Sequence, residues 1–340
     1  MVTVLTGGTG GAKFVDGLRK IVPPEELTVI VNTGDDLRWW GLYVSPDLDS
    51  ITYMLADKVS EARGWGVEHD TFFCLQTLRQ LGEPAWFQVG DRDLALHIFR
   101  SKLLAEGKTL THATAEIARR LGIKARILPM SDAPVETRVL TPAGDLSFEK
   151  FFVQRRFEDP VESVHFEGAL QAVPAPGVLD AIRSADLVLL APSNPVTSIG
   201  PILAVPGIRE ALRETSATIA AVSPIIGGAA VTGPAGALLA AQGFAVSIAG
   251  IAEYYEDFLD VLVADSQDAV VAEELRDDRR SHEDNNSLGA RVDGRANSRG
   301  SGLSIHCTST MMRKSADRVA LAKSVMEACA PVPSRTIATL

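Results

Sequence analysis

Short runs of apolar residues, separated by turns that contain glycine and proline, dominate the chain. Residues 2–6 (VTVLT) and 27–33 (LTVIVNT) are almost continuously apolar and do not alternate with polar residues. Such runs are typical of strands that are covered on both faces, as in parallel sheets. Residues 13–22 fit one crossover helix that stops at Pro23 and Pro24. The pattern therefore predicts a right-handed βαβ unit at the start of the chain.

The periodicity changes after residue 50. Over residues 50–122 apolar side chains recur every three or four positions, which indicates a helical section. Its last short helix, THATAEIARRLG, has Thr111 as the predicted N-cap. Residues 124–171 instead contain short strand-like stretches and a hairpin turn at Pro142–Gly144, so they predict a small β-rich insert.

The α/β rhythm resumes after the insert. Apolar runs predict further strands at 186–195, 218–228, 245–255 and 261–265. The fold class predicted is α/β, a Rossmann-like parallel sheet built from residues 1–123 and 172–340, with a helical insertion and a smaller β-rich subdomain. Residues 276–302 are rich in Arg, Asp, Asn, Ser and Gly and predict a disordered insertion. Met311 to Ala328 fit a C-terminal helix.

Composition narrows the classes of function. With 46% hydrophobic and 22% charged residues, the chain has an ordinary globular composition, and its formal net charge of -10 argues against nucleic acid as a partner. Glycines and prolines interrupt the apolar stretches, so no membrane partner is expected. Three cysteines without CxxC spacing and the lack of a signal-peptide pattern favour a cytoplasmic location.

A glycine-rich turn, TGGTGGAKF over residues 6–14, follows the first strand and precedes the first helix. Backbone N–H groups in such a turn, together with a helix N-terminus, favour phosphate binding. The predicted nucleotide contacts here are Gly8, Thr9, Gly10, Gly11 and Lys13. A dinucleotide fingerprint fits poorly, because Lys13 replaces the last glycine and Asn32, not an acid, ends the second strand. A tight turn without a ligand remains the alternative.

The loop over residues 32–50 carries four carboxylates: Asp35, Asp36, Asp47 and Asp49. It follows a strand, and ligands bind at the carboxyl edge of open α/β sheets. Hard oxygen ligands at this place suit Mg²⁺ that bridges to phosphate oxygens, so Asp47 and Asp49 are the predicted metal ligands. Helix capping by either residue is the alternative.

Three later segments are weaker candidates. Arg92, in VGDRDLALH, offers a planar charged fork for an anion, or it forms a simple surface ion pair. His97 on the following helix is predicted to be structural. Two loops after strands could hold a base or phosphates, or could be plain turns. Their candidate residues are Ser193, Asn194, Ser223, Gly227 and Gly228.

Taken together, these segments resemble one family. TGGTGGAKF, VNTGDD, GLYVSPDLDS, WFQVGDRDLALHI, MSDAPVETRV, LLAPSNPVTSIGPIL, VSPIIGGAAVTGP and IAEYYEDFLDVLVAD are similar to motifs of the 2-phospho-L-lactate transferases of coenzyme F-420 biosynthesis, including the actinobacterial phosphoenolpyruvate-using members. STMMRKSADRVALAKSVM is similar to the closing helix of that family. The resemblance covers nearly the whole chain apart from residues 276–302.

The resemblance implies a concrete activity. Family members transfer a phospho-acid unit from its guanosine diphosphate ester to the ribitol hydroxyl of the deazaflavin Fo and release GMP, with Mg²⁺ as cofactor. The resemblance also implies a homodimer and a Rossmann-like fold with a smaller domain. It also implies that Asp49 and Arg92 bind Fo and act in catalysis, with Asn32 and Asp35 in the same Fo site. The glycine turn and the two later loops would hold the nucleotide.

Some questions stay open at the level of sequence. Thr232 stands where many members have lysine, and the 276–302 insertion is unusual; we expect it to be dispensable. Phospholactate, phosphoenolpyruvate and 3-phosphoglycerate are all compatible with the residues seen. A divergent nucleotide-sugar-binding paralogue and an NAD(P)-dependent oxidoreductase are the alternative functions.

Overall fold

The computed structural model describes residues 1–277 and 302–330. Most of the predicted insertion, residues 278–301, lies outside the described residues, so the prediction for it is not tested. The described strands are β1 (Val2–Thr6), β2 (Leu27–Val31), β3 (Leu37–Trp39), β4 (Leu42–Val44), β5 (Arg126–Pro129), β6 (Glu136–Thr141), β7 (Gly144–Ser147), β8 (Ser163–Glu167), β9 (Leu187–Leu190), β10 (Thr218–Val222), β11 (Ile225–Ile226), β12 (Ala229–Ala230), β13 (Val261–Asp265) and β14 (Ser304–Thr308).

Helices connect these strands and cover the sheet. They are α1 (Gly8–Leu18), α2 (Pro46–Leu55), α3 (Phe73–Gln80), α4 (Asp91–Ala105), α5 (Leu110–Arg120), α6 (Val178–Arg183), α7 (Gly200–Ala204), α8 (Ile208–Glu214), α9 (Ala235–Ala241), α10 (Ile248–Tyr254) and α11 (Ser315–Ala328). Residues 269–277 are helical as well. Within the described ranges, no helix is both long enough and apolar enough to cross a membrane.

A seven-stranded sheet forms the centre, in the order β14-β13-β10-β9-β1-β2-β5, and every neighbouring pair is parallel. The predicted fold class is therefore confirmed. Three small antiparallel sheets, β3–β4, β11–β12 and β7–β6–β8, lie outside it. The chain builds the sheet outward from β1 in one direction and then restarts at β9 in the other. The gap between the carboxyl ends of β1 and β9 is thus the topological switch point.

The two faces of the sheet carry separate cores, because successive side chains of a strand point to opposite faces. Leu5 and Ile30 belong to one buried cluster, whereas Val4 and Val29 belong to the other. Phe14 of α1 is fully buried in the second cluster, and its burial contributes about 1.5–3 kcal/mol. This packing holds α1, and with it the glycine turn, against the central strands.

Three details differ from the sequence-based prediction. Residues 126–129, which we grouped with the β-rich insert, form β5 at the edge of the main sheet, where the apolar side chains are buried against β2. The predicted strand over 245–255 was wrong: this segment forms α10, and the Ser247 side chain caps it by accepting from the Gly250 N–H. The N-cap of α5 is Thr109 and not Thr111, because the Thr109 hydroxyl accepts from the His112 N–H.

Candidate functional site

The loops after β1 and β9 are tied together at the switch point. The buried Ser193 hydroxyl donates to the Gly7 carbonyl at 2.7 Å and lies 3.4 Å from the Gly7 N–H. The predicted ligand residue Asn194 caps the following turn, since its Oδ1 accepts from the N–H groups of Val196 and Thr197. Both side chains therefore build the crevice, and their contact with a nucleotide stays a prediction.

The glycine turn is shaped by close approach of other side chains. A Cβ at Gly7 would collide with the Asp47 carboxylate, and one at Gly11 would collide with Thr6 and Ser193. Gly8 has a φ of +66°, which favours glycine. The turn is therefore tight, which is compatible with the alternative of a turn without a ligand. It leads, however, into the eleven-residue helix α1, and the N–H groups that follow Gly8 in the first turn of this helix have no intrahelical acceptors. Those N–H groups can bind an anion.

Asp47 faces this glycine turn. Its Oδ1 accepts from the Gly8 N–H at 2.6 Å, and its Oδ2 accepts from the Asn32 amide at 2.9 Å. The same Asn32 amide nitrogen donates to Asp35 Oδ2 at 3.0 Å, while Asn32 Oδ1 accepts from the Gly34 N–H. Asn32, which is fully buried, therefore holds two carboxylates side by side at the end of β2.

Asp35, Asp47 and Glu149 form what we call the open acidic cluster, because no cationic side chain among the described residues forms an ion pair with any of them. Burial raises the pKa of Asp47 to about 6, with a smaller contribution from the Asp49 charge. Burial also raises the pKa of Glu149 to about 8, and the charges of Asp47 and Asp36 add to that shift. Burial and the Asp47 charge also raise the pKa of Asp35 well above its usual value. Three buried carboxylates without a counter-charge are a chemically suitable site for a divalent cation.

One oxygen of this cluster has no ordinary partner. Asp35 Oδ1 is buried and forms no hydrogen bond of normal geometry with the described residues, although the Thr137 hydroxyl is close enough to lower the pKa of Asp35. An unsatisfied buried carboxylate oxygen costs free energy unless a ligand meets it. The donor set and this orphaned oxygen both fit a hard cation such as Mg²⁺.

Asp49 lies in a different environment. Its two carboxylate oxygens accept hydrogen bonds from the guanidinium of Arg100, which is 1% exposed. His97 Nδ1 lies 3.5 Å from Asp49, and His97 Nε2 lies 3.3 Å from Asp93. Tyr53 donates its hydroxyl proton to Asp93. We call Asp49, Asp93, His97 and Arg100 the paired acidic cluster, since each carboxylate meets a basic side chain.

The helical period separates the two predicted metal ligands. Asp47 and Asp49 are two residues apart on α2, so their side chains point about 200° apart around its axis. Asp47 contacts the glycine turn and Asn32, whereas Asp49 contacts α4, and among residues 1–277 and 302–330 the two share no hydrogen-bonding partner. Asp49, Asp93 and His97 could by spacing hold a metal ion. Arg100, however, already compensates Asp49: burial alone would lower the pKa of Arg100, but the Asp49 charge outweighs this and raises it.

Arg92 lies outside both clusters. Its side chain is exposed and donates to the Glu68 carbonyl at 3.2 Å. The acids around it cap helices reciprocally: Asp70 accepts from the Arg92 N–H at the start of α4, and Asp91 accepts from the Cys74 N–H at the start of α3. Their close approach also explains Gly90, where a Cβ would collide with Asp70. The GDRD segment thus has a structural role, and ligand contact by Arg92 stays a prediction.

A cavity of about 1010 Å³ adjoins the open acidic cluster. Aromatic and acidic side chains share its wall. The aromatic ones are Trp39, Tyr43, Trp86 and Phe148, and the carboxylates include Asp35, Asp36 and Glu149. Trp39 and Trp86 are fixed edge to face, with ring centroids 4.8 Å apart. Of the four residues predicted for an Fo site, only Asp35 lines the cavity; Asn32 lies behind it, and Asp49 and Arg92 are not part of the wall.

The loop after β10 has a structural explanation. The Ser223 hydroxyl exchanges hydrogen bonds with the backbone of Ile225. Gly227 and Gly228, both with positive φ, form the two-residue turn of the β11–β12 hairpin. The Gly227 N–H is bound by the Asp268 carboxylate at 3.0 Å. These contacts support the plain-turn alternative for this loop, and its part in nucleotide binding stays a prediction.

Sequence reasoning missed Glu149, Arg100 and the aromatic wall. Glu149 is 102 residues from Asp47 in sequence, and Arg100 pairs with Asp49 across a separation of 51 residues. No local sequence pattern indicates either contact. The tryptophans of GDDLRWWG and WFQVGDRD offered a signal, because both lie next to polar candidate segments.

Comparison with known proteins shows which family the sequence matches. The sequence model of the family 2-phospho-L-lactate transferase CofD matches residues 2–311. A 2-phospho-L-lactate transferase of Methanosarcina mazei is 47% identical over 265 residues, which is 78% of this chain and 87% of the relative. A phosphoenolpyruvate transferase of Streptomyces griseus is 44% identical over 280 residues, 81% of this chain and 88% of the relative.

The fold also has a counterpart among solved structures. The crystal structure of a UPF0052 family protein from Bacillus halodurans superimposes with a TM-score of 0.61 and covers 96% of this chain and 98% of its own. At 17% sequence identity, this likeness concerns the fold alone.

Proposed function

The chain belongs to the 2-phospho-L-lactate transferase CofD family, and we propose that it transfers a phospho-acid unit from a guanosine diphosphate ester to the deazaflavin Fo in coenzyme F-420 biosynthesis. The observation that carries the proposal is the position of the open acidic cluster. It lies between the glycine turn at the switch point and a cavity with aromatic walls. A phosphate-binding element, a cation site and a ring-binding cavity are the three parts that this transfer needs.

The donor is assigned to the switch point. Its phosphates would meet the free N–H groups at the start of α1, where the helix dipole favours negative charge. Lys13 on α1 forms no ion pair with any described residue, so its ammonium group is available to the diphosphate. Ser193 and Asn194 would hold the walls of this crevice in place.

Mg²⁺ is assigned to Asp47, Asp35 and Glu149. The bound cation would neutralise charge on the phosphorus that is attacked. Asp47 accepts from the Gly8 N–H and so joins the metal site to the phosphate turn. Of the two metal ligands predicted from the sequence, this proposal retains Asp47. It gives Asp49 a positioning role instead, through its hydrogen bond with Arg100.

The acceptor is assigned to the cavity. Its volume of about 1010 Å³ accommodates a tricyclic ring with a ribitol chain, and Trp39, Trp86 and Phe148 offer aromatic surface for the ring. In the transfer, a ribitol hydroxyl oxygen bonds to the phosphorus that carries the acid. The bond from that phosphorus to the GMP oxygen breaks, and the hydroxyl proton passes to a neighbouring base. Positioning and charge stabilisation suffice, so no covalent enzyme intermediate is needed.

The test is a product analysis. The purified chain is supplied with Fo, Mg²⁺ and the guanosine diphosphate ester of lactate, enolpyruvate or glycerate, and products are identified by mass spectrometry. We expect release of GMP and a mass gain on Fo equal to one phospho-acid unit, and the fastest donor identifies the acid. Absence of any Fo adduct with all three donors would refute the proposal.

The assembly is proposed by analogy to the family as a homodimer. Size-exclusion chromatography with light scattering should give about twice the 36.3 kDa chain mass. A monomer under assay conditions would overturn this part and leave the activity untouched.

A further inference from the structure

We propose that Arg38 binds the carboxylate of the transferred acid and so determines which donors the enzyme accepts. The inference rests on the proposed function and assigns to one side chain the recognition of the group that all three candidate acids share. Arg38 lies on β3 and lines the cavity between Asp36 and Trp39.

The charges of the cavity pose a problem for an acidic substrate. Six carboxylate side chains contribute to its wall: Asp35, Asp36, Asp132, Glu136, Glu149 and Glu167. Only two cations contribute, Arg38 and Lys150. A substrate carboxylate that enters such a wall is repelled unless a cation meets it, because like charges in a partly desolvated site interact strongly.

Arg38 is available for this role. Its side chain forms no ion pair or hydrogen bond with the described residues, whereas Arg138 on β6 is bound to Glu136 and Asp145. A cation that remains unpaired beside so many carboxylates keeps its full hydrogen-bonding capacity for a ligand. Its guanidinium presents two parallel N–H groups, which match the two oxygens of a carboxylate.

Arg38 is also held in position. Its guanidinium carbon lies 5.1 Å from the centre of the Tyr43 ring, and the two residues face each other across the β3–β4 hairpin. Tyr43 is itself anchored, since its backbone N–H donates to Ser101 on α4 at 2.7 Å. A stacked guanidinium loses less conformational freedom when it binds a ligand than a free one does. Arg38 and Lys150 are both exposed, but Lys150 has no ring contact that would hold it in place.

The location suits the reaction. Arg38 is three residues from Asp35 of the open acidic cluster, on the same stretch of wall. In a phosphorylated hydroxy acid or enol acid, the carboxylate is only a few bonds from the phosphorus. A phosphorus at the cation site therefore leaves the carboxylate within a few bonds of Asp35 and Glu149, in the same cavity that Arg38 lines.

The experiment compares two donors with wild-type protein, Arg38→Gln, Arg38→Lys and the matched control Lys150→Gln. One donor is the guanosine diphosphate ester of the acid that the wild-type enzyme transfers fastest; the other carries a carboxamide in place of the carboxylate. The readout is kcat/KM for the carboxylate donor divided by kcat/KM for the carboxamide donor, together with the KM for Fo. A general loss of folding lowers both values equally and leaves the ratio unchanged.

We expect Arg38→Gln to lower the ratio about 10- to 100-fold, as for loss of a charge-assisted hydrogen-bonded pair. Arg38→Lys should give an intermediate ratio, Lys150→Gln should keep the wild-type ratio, and the KM for Fo should stay within about twofold. An unchanged ratio in Arg38→Gln, or a loss in Lys150→Gln alone, overturns the inference while the transferase activity of the wild type stands. If the wild type transfers neither donor, the proposed function itself fails.

Discussion

Two groups of buried carboxylates lie on opposite sides of α2, and they differ in one respect. In the paired acidic cluster, Arg100 forms an ion pair with Asp49, and the His97 ring lies between Asp49 and Asp93. In the open acidic cluster, Asp35 and Asp47 accept hydrogen bonds from Asn32, and no cationic side chain among the described residues pairs with Asp35, Asp47 or Glu149. Both groups are equally hidden from solvent. Burial therefore does not distinguish the two clusters; the buried guanidinium in one of them does, and our proposal that a metal cation binds at the open acidic cluster rests on this difference.

The largest expected effect is on stability, in the paired cluster. Arg100→Met leaves the Asp49 carboxylate buried without its partner, which should lower the free energy of unfolding by about 3–5 kcal/mol. Urea denaturation measures the change. The double variant Asp49→Asn, Arg100→Met should recover a large part of the loss, because the uncompensated charge is gone. Equal destabilisation of the single and double variants would show that the loss of stability does not come from an uncompensated Asp49 charge.

The second effect is on catalysis, in the open cluster. Asp47→Asn removes a negative charge from the proposed cation site, so kcat/KM for Fo transfer should fall about 100-fold or more. Thermal stability should change little, because the variant loses one hydrogen bond, to the Gly8 N–H or the Asn32 amide, but also removes the burial cost of one charge. Steady-state kinetics with a melting curve separate the two outcomes. A variant that melts early and turns over normally when folded would assign Asp47 to structure.

The sequence predicted the strands and the glycine turn around the site better than it predicted the division of the carboxylates into two clusters. The continuous apolar runs 2–6 and 27–33 specified central strands, and the glycine-rich run 6–14 specified the turn from the first strand into the first helix, because both signals are local. The acids of residues 32–50 were recognised as a group. Their division was not, since it depends on the helical phase of α2 and on Arg100, which is 51 residues from Asp49. The segment 245–255 was misread because a short apolar run fits a buried strand and a buried helix alike.

The third effect concerns pH. The raised pKa values of the open cluster, about 6 for Asp47 and about 8 for Glu149, mean that the folded protein binds protons more tightly than the unfolded chain does. The stability of the metal-free protein should therefore fall as pH rises from about 4 to about 8, and Asp47 contributes mainly below pH 6 whereas Glu149 contributes up to pH 8. Saturating Mg²⁺ should raise Tm more at pH 8 than at pH 6, with a stabilisation of about 2.7 kcal/mol at one hundred times Kd.

Glu149→Gln provides the control for that measurement, because it removes one titrating carboxyl without adding bulk. Its metal-free melting temperature should depend less on pH between 6 and 8 than that of the wild type. A metal-free Tm that rises over this interval in the wild type would contradict the charge assignment of the open cluster.

The measurement that tests the central claim most directly is Mn²⁺ binding, followed by electron paramagnetic resonance as a probe for the Mg²⁺ site. Wild type, Asp47→Asn and Asp93→Asn are titrated in parallel, since the two variants remove one carboxylate from each cluster. The account predicts that Asp47→Asn weakens Mn²⁺ binding at least about tenfold, whereas Asp93→Asn binds as the wild type does. Loss of binding in Asp93→Asn, with full binding in Asp47→Asn, would place the metal in the paired cluster and contradict the account.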